Sequence, residues 1–192
     1  MSEDVRSFIA IEIPEGIRER IGGLQKRLRE SDCQVSWVKP SNIHLTLKFI
    51  GQTPRDRIAG ISAAIEGACV GLSTFELEIG ATGSFPSRRN PKVLWVGIND
   101  EPTGSLKTFH ARMESELAES GFPRETKSFN PHLTIGRLRS TKNSGKLIDQ
   151  MAEFGFSAER FVVREIVLMR SELNPAGSIY TPLTRIPLQD VI

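Results

Sequence analysis

Two short stretches of the chain share one spelling. His44-Leu45-Thr46-Leu47-Lys48-Phe49 recurs as His132-Leu133-Thr134-Ile135-Gly136-Arg137, and the two copies use two of the three histidines present. Imidazole titrates near pH 6.5, so around neutrality a pair can hold one neutral ring as general base and one charged ring as general acid. Such a pair suits in-line displacement at phosphorus. One ring takes a proton from the attacking oxygen, the other protonates the departing oxygen, and the two threonine hydroxyls donate to the non-bridging oxygens between them. Zinc is the competing use of two imidazoles, but a catalytic zinc usually takes a third protein ligand, and neither copy carries a neighbouring carboxylate, cysteine or third histidine. A serine or cysteine nucleophile is disfavoured as well, because no nucleophile-elbow motif is present. The residues therefore point to chemistry that needs no metal and no cofactor.

Both copies read as strands. Side chains alternate between strand faces, so His44, Thr46 and Lys48 share one face while Leu45, Leu47 and Phe49 share the other. In the second copy His132 and Thr134 face one way, Leu133 and Ile135 the other. The apolar faces build core and the His/Thr faces are left for a site. Lys48 shares the reactive face of its strand, where it either attracts a phosphate backbone or is simply solvated.

The rest of the chain supplies elements to hold these strands. Val5 to Ile13 is an apolar run of strand length ending at Pro14, after which Ile17, Ile21, Leu24 and Leu28 form one helical stripe. Gly22-Gly23 interrupts that helix at about 1 kcal/mol per glycine, which packing or a close backbone approach must offset. Trp37-Val38 reads as a short strand. Thr53-Pro54 reads as a cap and first turn for a helix carrying Ile58, Ile61, Ile65 and Ala68. Phe75, Leu77 and Ile79 alternate as a half-exposed strand, Gly80 to Asn90 reads as a loop, and Val93 to Ile98 as a buried strand. Leu106, Phe109, Met113 and Leu117 mark a third helix, beside whose stripe His110 reads as a partly exposed residue. A short helix around Leu147, Ile148 and Met151 follows, then one long strand over 161–169, then a strand over 179–188 whose prolines suit an edge. This gives about eight strands and four helices, interleaved irregularly, and favours an α+β fold of mostly antiparallel sheet over a doubly wound one. The simplest arrangement is two pseudo-symmetric, duplicated lobes within one domain, residues 1–192, facing each other across a central cleft.

Composition narrows the function classes. The chain has 192 residues, 39% hydrophobic and 25% charged, within the globular range. No apolar run is long enough for a membrane span, and the acidic opening Met1-Ser2-Glu3-Asp4 lacks a signal-peptide layout, so a cytoplasmic monomer is the expectation. Cys33 and Cys69 are too few for a disulfide framework or metal knuckle. A net charge of +2 permits a phosphate-bearing partner but requires any anion affinity to be local. Arg88, Arg89, Arg139 and Lys142 read as solvated loop charge, with a phosphate track as the alternative.

Taken with their flanks, the two motifs resemble the signatures of the two-histidine phosphoesterase superfamily, and within it the RNA 2′,3′-cyclic phosphodiesterases historically called 2′-5′ RNA ligases. The similarity runs through Arg6-Ser7-Phe8-Ile9-Ala10-Ile11, Lys39-Pro40 to Gly51, Ser84-Phe85-Pro86, Pro91 to Gly97, Pro131 to Arg137, and the tail from Ser171 to Leu188. Each motif alone is short and weak; both together with these flanks are specific. The resemblance implies a two-lobed fold and metal-free opening of RNA 2′,3′-cyclic phosphate ends to 2′-phosphates. It makes His44 the general acid and His132 the general base, roles that the residues alone leave interchangeable. It also makes Thr46 and Thr134 phosphoryl ligands and Arg137 a phosphate-binding residue. Strict alternation places Arg137 on the wrong face, a conflict that a bulge or strand end after Gly136 would resolve. Phe85 either stacks on a terminal base or packs into the core. The expected partner is RNA with a 2′,3′-cyclic phosphate end, and 2′-5′ ligation of cleaved tRNA halves through the same acid/base pair is a further expectation. Hydrolysis of small cyclic phosphates or 2′-5′ linked nucleotides, and non-catalytic binding of RNA ends, are the alternatives.

Overall fold

A computed structural model describes residues 4–175 and 177–190 of the chain, so Met1, Ser2 and Glu3 of the acidic opening lie outside the described residues. Its elements in order are strand Val5–Glu12 (β1), helix Glu15–Leu28 (α1), strand Val35–Trp37 (β2), strand His44–Thr53 (β3), helix Ile58–Cys69 (α2), and strands Phe75–Pro86 (β4) and Pro91–Asn99 (β5). Then come helix Ser105–Glu119 (α3), strand His132–Leu138 (β6), helix Ser144–Phe154 (α4), and strands Glu159–Val163 (β7), Glu165–Glu172 (β8) and Ile179–Pro187 (β9). No helix among the described residues is long and apolar enough to cross a membrane.

The strands form one curled antiparallel sheet in the order β7-β4-β5-β6-β3-β1-β8-β9, with β2 added on β6. The two histidine strands, β6 and β3, meet at its centre, and three strands continue outward on each side. Apolar side chains of the central strands, including Ile9, Leu45, Leu133 and Leu94, pack on one face against Ile17, Ile21, Ile61, Ile65, Phe109 and Met113 from the helices. Nearly the whole core sits on that side. Phe8, Ala10, Val167, Met169 and Tyr180 make a small separate cluster.

The halves of the fold are not the halves of the sequence. What reads as one long strand over 161–169 breaks at Arg164 into β7, which pairs with β4 at one end of the sheet, and β8, which pairs with β1 in the other half. Likewise α1 packs with α4, and α2 with α3. The expected loop at Gly80 is instead a continuation of β4, with an irregularity at Ala81, whose φ is +53°. Thr53 ends β3 rather than capping a helix, and α2 is reached through a short 3-10 turn. In α1 the two glycines differ: a Cβ on Gly22 would meet Pro40 Cγ at 3.1 Å, while Gly23 faces open space. Close approach by the turn before β3 therefore accounts for Gly22. Edge placement of β9 agrees with its prolines.

Candidate active site

The motif strands are joined by the pair Leu45↔Leu133, the same position in each copy. In an antiparallel pair of that register His44 is opposed to Thr134 and His132 to Thr46. Each imidazole thus has the other strand's threonine across from it. All four line one cleft of about 840 Å³, together with Phe49, Phe85, Phe129, Arg137 and Tyr180 among others.

Both rings are held the same way. His44 Nδ1–H donates to the carbonyl of Asn42 at 2.8 Å, and His132 Nδ1–H donates to the carbonyl of Asn130 at 2.7 Å. A carbonyl only accepts, so Nδ1 carries the proton in each ring and Nε2 is left for chemistry. Neither Nε2 has a partner among the described residues, and neither do the Thr46 and Thr134 hydroxyls. Asn42 is itself fixed, its side-chain amide donating to the Ser178 carbonyl at 2.7 Å. The signal was in the sequence: each motif reads Asn-x-His-Leu-Thr, two residues longer than the repeated triplet. Aromatic rings complete the seats. His44 stacks on Phe8 at 4.7 Å between centroids and meets the edge of Tyr180 at 5.2 Å. His132 meets Phe85 edge-on at 4.9 Å. Burial in this aromatic seat lowers the pKa of His44, opposed by its bond to the Asn42 carbonyl and by the charge of Glu12.

A bulge follows each threonine. In β3 the partner of Ile9 is Lys48 and that of Ala10 is Thr46, so Leu47 is the extra residue. In β6 the partner of Leu94 is Gly136 and that of Trp95 is Thr134, so Ile135 is extra. A bulge shifts the alternation by one, and everything beyond it changes face. Arg137 is thereby turned to the cleft, although the bulge lies one residue before Gly136 rather than after it. Gly136 faces inward, where Val35 and Trp37 of β2 leave no room, a Cβ there meeting Val35 at 2.8 Å. By the same shift Phe49 faces out, 68% exposed at the lip of the cleft, and Lys48 turns inward.

Alternation assigns Lys48 to the reactive face beside His44 and Phe49 to the core; Phe49 is instead exposed, and Lys48 lines the cleft but is buried there. Lys48 is 8% exposed, and its ammonium donates to both oxygens of Glu114 at 2.8 Å and to the Pro123 carbonyl at 2.9 Å. It is neither solvated nor free to meet a phosphate. Glu114 in turn accepts from the Glu125 backbone N–H at 3.0 Å. Lys48 and Glu114 thus tie β3 and α3 to the segment leading to Asn130 and His132.

At each bulge the carbonyl of the extra residue accepts from a helix side chain, that of Ile135 also from the Val38 backbone N–H at 3.0 Å. Leu47 O accepts from His110 Nε2–H of α3 at 3.2 Å, and Ile135 O accepts from Gln25 Nε2–H of α1 at 2.8 Å. His110, partly exposed on its helix as expected, also stacks on Phe129 at 3.8 Å and so braces the wall of the cleft that both residues line. The helix that carries it is anchored at its start by buried Asp100, which accepts from the backbone N–H groups of Leu106 and Lys107. Sequence pattern could not show these braces, because they join positions far apart in the chain. Replacing His110 with phenylalanine keeps the ring stack and orphans the Leu47 carbonyl, so a loss of about 1–3 kcal/mol is expected in urea denaturation. An unchanged midpoint would show that the bulge needs no brace.

Phe85 contacts both His132 and Trp95, and it lines the cleft while being half-buried. The loop cations Arg88, Arg89, Arg139 and Lys142 are all exposed, as solvated loop charge would be; Arg88 pairs with Asp149 at 2.9 Å, and Arg139 Nε donates to Ser36 Oγ at 2.6 Å. Arg137 forms no ion pair or side-chain hydrogen bond among the described residues.

The chain is similar to known proteins along most of its length. The chain matches the model of the 2′-5′ RNA ligase superfamily over residues 13–175. It is 34% identical to the RNA 2′,3′-cyclic phosphodiesterase of Methanothermobacter thermautotrophicus, covering 93% of this chain and 96% of that one. It is 31% identical to the protein of the same name from Archaeoglobus fulgidus, covering 93% and 98%. Among solved structures, E. coli LigT complexed with 3′-AMP superimposes with a TM-score of 0.74 at 25% identity, covering 97% of this chain and 99% of that one. A Thermus thermophilus protein, TT0787, shares the fold with a TM-score of 0.75 at 24% identity, covering 96% and 98%.

Proposed function

The chain belongs to the 2′-5′ RNA ligase superfamily, and on that premise we propose that it is an RNA 2′,3′-cyclic phosphodiesterase working by two-histidine acid/base catalysis. The observation that carries this reading is the matched pair of imidazoles. Each has Nδ1 engaged by the carbonyl two residues earlier, and each has an unpartnered Nε2 in the same cleft beside an unpartnered threonine hydroxyl. His132 Nε2 accepts a proton from water as the water oxygen attacks phosphorus. The bond from phosphorus to the 3′ oxygen breaks, and His44 Nε2–H delivers a proton to that oxygen. The products are a terminal 2′-phosphate and a 3′-hydroxyl. Thr46, Thr134 and Arg137 hold the non-bridging oxygens, whose charge grows in the transition state. A 5′-hydroxyl in place of water would give a 2′-5′ linkage through the same pair. Phe85 bounds the terminal nucleoside on the His132 side.

The roles of acid and base follow the family resemblance. Burial of His44 favours its neutral form in the free protein, which taken alone suits a base; an acid at this position draws its charge from the phosphodiester anion that docks against it. Because kcat/KM reports the free enzyme, its acidic limb is expected below pH 6.5, and the limb in kcat is expected at higher pH once the anion is bound. An acidic limb of kcat/KM at or above 6.5 would contradict the buried His44.

The decisive test is incubation with an oligoribonucleotide ending in a 2′,3′-cyclic phosphate, in EDTA, with the terminal product identified by mass and phosphatase sensitivity. Conversion to a 2′-phosphate is expected. No conversion, or conversion that only added zinc restores, would overturn the reading.

A further inference from the structure

A second groove, of about 300 Å³, opens directly beside the catalytic cleft. Five neighbouring strands contribute to it in order: Arg137 from β6, Phe49 and Gly51 from β3, Arg6 and Ser7 from β1, Ser171 from β8 and Tyr180 from β9. Leu173 and Ser178 close its outer end. Phe49, Arg137 and Tyr180 line both spaces, so the two adjoin at these three side chains.

Its chemistry is that of a single-stranded nucleic acid subsite. Arg6, like Arg137, is exposed and forms no ion pair or side-chain hydrogen bond among the described residues, so two guanidinium groups flank the groove uncommitted. Phe49 offers an exposed face, and Leu173 is 71% exposed at the far wall, an unusual outlay of apolar surface unless something covers it. In the floor, Ser7 is 2% exposed and its Oγ is buried without a hydrogen-bond partner. A buried hydroxyl left unpaired in this way points to a polar group supplied by a ligand.

The substrate's own connectivity names the occupant. A terminal nucleotide whose 2′ and 3′ oxygens are both tied up in the cyclic phosphate continues only through its 5′ oxygen. Whatever adjoins the catalytic cleft along the substrate is therefore the 5′ phosphodiester and the nucleotide beyond it. Resting on the cyclic-phosphodiesterase reading, we propose that this groove binds the penultimate nucleotide of the RNA, with the linking phosphate on Arg6 and the penultimate base on Phe49. The protein is then built for oligonucleotide ends rather than for free nucleoside cyclic phosphates.

Three probes test this: adenosine 2′,3′-cyclic phosphate, the same nucleoside bearing a 5′-phosphate, and a trinucleotide ending in a 2′,3′-cyclic phosphate. Wild-type kcat/KM is expected to rise along the series, by about tenfold or more overall, the scale of one base stack plus one phosphate contact. Arg6→Ala is expected to lose about tenfold on the trinucleotide and nothing on the unphosphorylated nucleoside, and to flatten the salt dependence on the trinucleotide by about 0.7 in log–log slope. Phe49→Ala is expected to lower kcat/KM on the trinucleotide more than on the nucleoside. Equal wild-type efficiency on all three probes, or equal losses on all three in Arg6→Ala, would overturn the groove while leaving the cyclic-phosphodiesterase reading intact. Turnover of none of them by wild type would overturn both.

Discussion

Replacement of His132 by alanine is expected to lower kcat on a 2′,3′-cyclic phosphate RNA end by about 10²–10⁴, and replacement of His44 to do the same, because each removes one positioned proton-transfer group. The two losses differ in kind. A leaving oxygen that needs no proton relieves the demand for an acid, so an aryl phosphodiester with a good leaving group is expected to restore much of the rate to the acid variant and none to the base variant. With the roles proposed above, His44→Ala is the rescued one. Rescue of His132→Ala instead would exchange the roles and agree with the lowered pKa of His44 in the free protein. The variants are also expected to differ in stability. His44 is wedged between Phe8 and Tyr180, whereas His132 meets Phe85 only at its edge, so His44→Ala is expected to show the larger fall in melting temperature. A collapse of folding in both would mean that the rings are structural.

Much of the site was legible because its residues are repeated. A period of two within each motif was enough to put imidazole and hydroxyl on one face, and Leu45 and Leu133 in the core. The antiparallel α+β character and the edge position of β9 followed from interleaving and prolines. What was hidden has one physical source. A bulge is a mismatch between two strands, and nothing in Thr46-Leu47-Lys48 announces that Leu47 has no partner on β1. Gly136 hinted at irregularity in the second motif, and the irregularity lies next to it. Lys48 gave no such hint, and so neither its burial nor the exposure of Phe49 could be read from the pattern. The same long-range dependence hid the break at Arg164 and the braces from Gln25 and His110.

The two bulges explain how one sheet face can carry both a site and its approach. Without them, residues three beyond each threonine would point into the helix layer, and the cleft would end at the threonines. With them, the motif strands present a third residue each, Phe49 on one side and Arg137 on the other. A nearly symmetric scaffold thereby gains an asymmetric substrate surface. One lip is aromatic and the other cationic, which suits a base and a phosphate respectively.

Turning a residue at each bulge inward has a cost, and the two halves meet it differently. In β6 the residue is glycine, and Trp37 and Val35 fill the space. In β3 it is Lys48, whose charge is buried against Glu114, with side chains 7% and 9% exposed. Removing one partner leaves the other as an uncompensated buried ion, so Lys48→Met and Glu114→Gln are each expected to cost about 3–5 kcal/mol in urea denaturation. Replacing both, as Lys48→Met with Glu114→Leu, removes the charges together and is expected to recover most of that loss. Activity should not recover with it. The pair also holds the Pro123 carbonyl and the Glu125 N–H, and through them the segment that delivers Asn130 and His132 to the cleft. A displacement of about 1 Å in a catalytic group can cost about 10²-fold, so the double variant is expected to fold stably yet turn over up to about 10²-fold more slowly. Full recovery of both stability and kcat would show that the ion pair only fills space; recovery of stability alone would show that it positions His132.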